Sequence, residues 1–167
     1  MTRNVMAMAG KSGSIVEELK QTRPFASKAQ ETTVALLRTT DVVKRQLARV
    51  VESEGVTLQQ YNVLRILRGS RGTPVSALEI TERLIEETPG VSRLLDRLVA
   101  KGLIRRDRSS EDRRMLECFI TPRGLQLLAR LDDPVNRADE AALNALTAKE
   151  VSLLNELLAR IRQAQQP

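Results

Sequence analysis

The chain has no histidine, one cysteine and no tryptophan. Tyrosine occurs once and phenylalanine twice, so aromatics make up 2% of the sequence. Each shortage excludes a class of function. Without imidazole there is no histidine-dependent acid–base or nucleophilic catalysis, and a zinc site would have to rest on carboxylates and one thiol, a poor ligand set for that metal. A single thiol, Cys118, cannot close an internal disulfide. No apolar run reaches the roughly 20 residues of a membrane-spanning helix, and the N-terminus lacks the apolar stretch of a secretion signal. No membrane association is expected, and a reducing cytoplasm is the expected location. A core so poor in aromatics must be built from Leu, Val, Ile and Ala, which favours helices.

The 167 residues suffice for one domain or two small ones, and the 41% hydrophobic and 29% charged shares are those of an ordinary globular chain. The net charge of +6 and a pI near 10.1 suit a polyanionic partner. That charge is concentrated. Over residues 88–114, eight cations oppose four anions, which leaves +4 in this short segment. Clustering of this kind is what electrostatic docking on phosphates requires.

The pattern along the chain predicts mainly α-helix with a small β-hairpin. Residues 1–24 show no clear period and read as a flexible N-terminal arm. A long helix is expected from Phe25 to Glu54, opened by Ser27 and Gln30 as a capping box and stopped by Gly55. Its Ala29, Thr33, Leu36, Thr40, Val43, Leu47 and Val50 recur at alternating spacings of four and three, a heptad-like stripe suited to another helix or a second subunit. Thr57 and Gln60 open a helix with Tyr61, Leu64, Ile66 and Leu67 on its apolar face. Ser76 and Glu79 open a short helix through about Ile85. Thr88 is expected to cap the next, with Pro89 at its first position and Gly102 at its end. That helix presents Val91, Leu94, Leu95 and Leu98 on one face and Ser92, Arg93, Asp96, Arg97 and Lys101 on the other. Leu103 to Arg106 and Met115 to Thr121 read as strands, with Cys118 on the face turned to the core, where it serves as a small hydrophobe and not a redox sensor. Thr121-Pro122 opens a further helix that Pro134 is expected to kink or restart. Thr147 and Glu150 cap the last one.

Two short helices, over 76–85 and 88–101, followed at once by a hairpin with a cationic tip make a winged helix-turn-helix. The second helix would enter the major groove of double-stranded DNA. In the hairpin, Asp112 stands beside Arg113 and Arg114; a guanidinium suits a narrow minor groove, and a neighbouring acid can hold it in a productive rotamer. The expected DNA-binding residues are therefore Ser92, Arg93, Arg97, Lys101, Arg108, Asp112, Arg113 and Arg114. The sequence offers no paired acid and base, nucleophile or phosphate loop, so catalysis is not expected. The competing class is a winged-helix adaptor that binds protein, but it calls for a neutral or apolar recognition face.

The run VSRLLDRLVAKGLIRRDRSSEDRRMLECFITPRG resembles the core of the multiple antibiotic resistance regulator (MarR) family, whose recognition helix is followed by a KGL turn and an EDRR wing. The likeness is close from Leu58 to Leu131 and extends through both terminal helices to Ile161. It implies a winged helix-turn-helix over 57–121 and a helical dimerisation region over 25–56 and 122–167. A homodimer would then present two recognition helices to the half-sites of an inverted repeat, as a repressor. Ser92, Arg93 and Arg97 fall on the recognition helix of that pattern, Asp112, Arg113 and Arg114 on its wing, and Ser76 where the preceding helix touches phosphate. The resemblance also implies release of DNA by a small, often phenolic, ligand. Tyr61 and Arg65, one turn apart, are the candidates for holding it; no cofactor or metal is implied. Pro89-Gly90 and Ile85-Glu86-Glu87 depart from the family pattern at the base-contacting end of the recognition helix and in the turn before it.

Overall fold

The computed structural model describes residues 13–86, 89–108 and 116–165. The chain divides into two compact units, residues 1–43 and 44–167. In the first, Ser14 and Glu17 form a reciprocal capping box on a one-turn helix, α1 (Ile15–Glu18). The sequence reads as a flexible arm here; within it a cap and a 2.7 Å ion pair from Arg38 to Glu18 order this one turn. The long helix α2 (Lys28–Glu52) crosses from the first unit into the second. It starts three residues later than Phe25, because Ser27 Oγ accepts from the Gln30 amide and so stands outside the first turn. Gly55, at φ +74°, ends the excursion in the left-handed region that glycine adopts without strain. Along α2 only Val51 is fully buried; Leu36, Val43, Leu47 and Val50 of the heptad-like stripe are half-covered.

The second unit is built around α3 (Leu58–Gly69), whose Tyr61, Val63, Leu64, Ile66 and Leu67 are all buried. Thr57 and Gln60 cap it reciprocally, as the sequence predicts. A short strand, β1 (Val75–Ser76), leads into α4 (Ala77–Arg83), capped by Ser76 and Glu79. The next helix, α5 (Val91–Ala100), begins later than the expected Thr88–Pro89 start. Its N-cap is Gly90 at φ +80°, with no side-chain capping bond, and Pro89 belongs to the turn before it. Thr88 lies outside the described residues. The strands β2 (Ile104–Arg108) and β3 (Leu116–Ile120) pair antiparallel, Ile104 facing Ile120 and Arg108 facing Leu116. Strand β2 thus runs two residues further than the sequence suggests. Strand β1 adds to the other edge of β3, which makes a three-stranded sheet in the order β1-β3-β2. A two-residue strand carries no periodicity, so β1 has no signal in the sequence.

Two helices follow. α6 (Pro122–Leu143) is capped by Thr121 and carries Pro134 within it, without the expected restart. The proline forfeits one backbone bond. Against that loss, Leu127, Leu128, Leu131, Val135 and Ala138 keep a single buried stripe on both sides of it. α7 (Ala148–Gln163) has a complete Thr147–Glu150 capping box and no buried residue.

The exit of α5 is bound tightly to the start of α6. Gly102, at φ +68°, turns the chain, and the Leu103 amide donates back to the Leu98 carbonyl at 3.0 Å. The Leu103 carbonyl then accepts from the Thr121 amide at 3.1 Å, and the Thr121 hydroxyl donates to the Gly102 carbonyl at 2.7 Å. Gly124 allows the close approach. A Cβ there would collide with the Leu103 carbonyl oxygen and stand 2.8 Å from Ile120 Cγ1. At an ordinary helix position Gly→Ala is favourable by about 1 kcal/mol. Here overpacking reverses the sign, and Gly124→Ala is expected to cost about 1–3 kcal/mol in urea-denaturation free energy.

Cys118 lies at the centre of β3, fully buried and opposite both Val75 and Arg106. Burial raises its thiol pKa, and the Arg106 guanidinium opposes that only in part. The thiol is both covered and protonated, so its reaction with an aromatic disulfide reagent is expected to track global unfolding in urea. Rapid labelling of the native protein would contradict this.

Candidate nucleic-acid interface

Helix α5, expected from the sequence to enter the groove, is seated by its apolar face and presents a cationic one. Leu94, Leu95 and Leu98 are buried, with Val91 half-covered above them. The three-residue period that buries these leucines leaves Ser92, Arg93, Asp96 and Arg97 exposed along the opposite side. Arg93 and Arg97 are one turn apart and line a cleft of about 360 Å³ together with Gln59, Pro89, Gly90 and Leu94. Neither arginine makes an ion pair with a described residue, so both charges remain available to a partner. Gln59 was not anticipated: it comes from the first turn of α3, and no spacing rule relates it to residues thirty positions away.

Ser76 is half-buried at the start of α4. Its Oγ accepts from the Glu79 amide, and its own amide donates to the Glu79 carboxylate at 2.8 Å. These bonds from Ser76 hold the Glu79 carboxyl below its usual pKa. Arg108 is exposed at the end of β2. Lys101 is exposed overall, but its ammonium is engaged: Nζ donates to the Gly55 carbonyl at 2.6 Å and to Gln60 Oε1 at 3.0 Å. It braces the end of α5 against the turn into α3. Asp112, Arg113 and Arg114 fall at positions 109–115, outside the described residues.

A side-chain bridge joins α5 to the sheet. Arg106, on β2, sends Nη1 to Asp96 Oδ1 at 2.7 Å and Nη2 to the Ser92 carbonyl at 3.1 Å. The partner of Asp96 is thus a residue ten positions away, across the Gly102 turn. Beside it, Arg105 is paired with Asp107 and lies 4.0 Å over the Phe119 ring, its cross-strand neighbour.

Tyr61 is 6% exposed and part of the core, and burial raises its hydroxyl pKa. Arg65 is exposed, with its guanidinium 5.9 Å from the Tyr61 ring centroid. The pair therefore offers an outward cation and an inward ring. Among the described residues, no group of three or more His, Cys, Asp or Glu side chains could hold a metal ion, and no helix is long and apolar enough to cross a membrane.

Comparison with known proteins gives this geometry its context. The MarR family model matches residues 54–115, which span α3 through β2. The crystal structure of a MarR transcription factor from Planctomyces limnophilus is 36% identical, with a TM-score of 0.64, over 81% of this chain and 98% of that one. The E. coli MarR mutant solved in complex with operator DNA is 24% identical, at a TM-score of 0.70, over 76% of this chain and 90% of that one. The organohalide-sensing regulator RdhR, solved with 2,4-dichlorophenol bound, shares the fold at 16% identity and a TM-score of 0.77, over 87% of this chain and 88% of that one. The mainly helical chain with its three-stranded antiparallel sheet is a winged helix. The chain belongs to the MarR family of non-enzymatic transcriptional regulators.

Proposed function

We propose that this regulator is a dimeric repressor that occupies an inverted-repeat operator with one winged helix per half-site. The observation that carries the reading is the outward face of α5, where Arg93 and Arg97 line a polar cleft and make no ion pair with a described residue. A protein-binding adaptor calls for a neutral or apolar surface at that place. Ser92 shares the face, and Ser76 caps the start of α4. Arg108 extends the cationic surface along β2, toward Asp112, Arg113 and Arg114 in the sequence. Half-sites are expected one helical turn apart, about 10–10.5 bp centre to centre.

Dimerisation is supported by the unfilled apolar surface of α7. Leu153, Leu157 and Ile161 recur at intervals of four and are 54%, 42% and 46% exposed. No described residue of α7 is fully buried, so its apolar stripe is left for a partner to cover. The reading of 25–56 and 122–167 as a dimerisation region is supported by this stripe and the one on α2.

Relief of repression by a small ligand is the finer part of the reading. The dichlorophenol complex of RdhR supports a phenolic effector class, and the exposed Arg65 beside the Tyr61 ring is the candidate anchor. Arg65→Ala would abolish effector-induced release in a titration with a panel of chlorinated phenols, while leaving DNA affinity in their absence unchanged.

The central test is a fluorescence-anisotropy titration with the protein's own promoter region and a scrambled duplex across a salt series. Promoter binding is expected to be tighter by about 10³-fold or more. Arg97→Ala and Arg93→Ala are each expected to weaken it by about 1–3 kcal/mol if they reach base edges, and to lower the salt slope by about 1 if they reach phosphate. Equal, weak binding to both duplexes would favour the adaptor. Leu153→Asp with Leu157→Asp is expected to yield monomers in sedimentation velocity and to abolish promoter binding.

A further inference from the structure

Asp96 is out of place on the surface that the preceding reading gives to DNA. Its side chain is 65% exposed, it sits between Arg93 and Arg97, and a free carboxylate there repels phosphate. What the carboxylate does instead is hold Arg106. That guanidinium donates to Asp96 through Nη1 and to the Ser92 carbonyl through Nη2, so one rigid plane spans two successive turns of α5. Arg106 is poorly placed to serve as a phosphate contact itself. Its side chain is 18% exposed, and its Nε is buried without a hydrogen-bond acceptor. Its neighbours Arg105 and Arg108 are exposed. At its root, Arg106 pairs with Cys118 in the middle of the sheet, the most buried position of β3.

We infer that the Asp96–Arg106 bridge is a positioning device: it sets the rotation and tilt of α5 against the β2–β3 sheet, and DNA specificity depends on it although Arg106 does not touch DNA. The inference rests on the DNA-binding reading above. Its physical content is a sign. If Asp96 were only a solvated acid, removing it would strip a negative charge from the DNA-facing surface and release a cation, tightening binding to every duplex. If it orients the helix, removing it misplaces Ser92, Arg93 and Arg97, so binding to the promoter falls while binding to scrambled DNA holds or rises.

The test uses the full chain in anisotropy titrations against the promoter region and a scrambled duplex of equal length. The proteins are the wild type, Asp96→Ala, Asp96→Asn, Arg106→Lys and the Asp96→Ala/Arg106→Lys double variant. Asp96→Ala and Arg106→Lys are each expected to lower the promoter-to-scrambled affinity ratio by about tenfold, and the double variant to do no worse than Arg106→Lys alone, as for two ends of one contact. Asp96→Asn, isosteric and still an acceptor, is expected to lose least, which separates orientation from folding, and melting temperatures read alongside identify any variant that simply unfolds. An unchanged or higher ratio for Asp96→Ala, or additive losses in the double variant, would overturn the bridge as a positioning device. A wild type that fails to discriminate between the duplexes would instead overturn the DNA-binding reading and the bridge with it, so the two failures are distinct.

Discussion

Everything the recognition helix can do depends on the joint at its far end. The Leu103 carbonyl, Thr121 and Gly124 bring the last turn of α5 and the first turn of α6 together with backbone in contact with backbone. A joint made of side chains could slide through several rotamers. This one is more constrained, because the Leu103 carbonyl and the Thr121 amide are backbone groups, with the Thr121 hydroxyl bonded beside them. The orientation of α5 is thereby tied to α6, and through the buried stripe of α6 to α3. The Arg68–Asp132 pair, with Nη1 2.9 Å from both carboxylate oxygens, adds a second tie between α3 and α6. It is half-exposed, so its contribution to stability is modest; its planar geometry specifies register more than strength.

The two ends of α5 are held differently. Its C-terminal end has the Schellman-type return to Leu98, the Gly102 turn and the Lys101 brace. Its N-terminal end has Gly90 in the left-handed region and no side-chain cap. The leucines and the Asp96–Arg106 contact supply what the missing cap does not. A helix anchored at one end and along one face keeps its first turn open, which is the part that meets base edges in a helix-turn-helix.

Where local rules govern, the chain was legible. Reciprocal caps at Thr57, Ser76 and Thr147 announced three helices, because a hydroxyl and a carboxamide or carboxylate three residues apart satisfy two orphan amides whatever the tertiary setting. The alternation around Cys118 identified a half-buried strand, and the leucine spacing of α5 identified its inner face. Tertiary context decided the rest. Pro134 looks like a break, yet the buried residues around it outweigh one lost bond. Strand β1 exists only because β3 offers it an edge. Lys101 reads as a groove-facing cation until Gly55 and Gln60 are seen to claim it, and Asp96 reads as a neighbour of Arg93 until β2 brings Arg106 across. Contacts between residues far apart in the chain leave no periodic trace.

The aromatic poverty of the chain gives it a built-in optical reporter. With no tryptophan, the only tyrosine is Tyr61, and its ring lies in the core between α3 and the helices packed on it. Its emission comes from one buried ring with a guanidinium nearby and is uncontaminated by any other strong fluorophore in the protein. Melting of the winged-helix core can therefore be followed by light from a single native residue, independently of whatever α1 and α7 are doing at the same temperature.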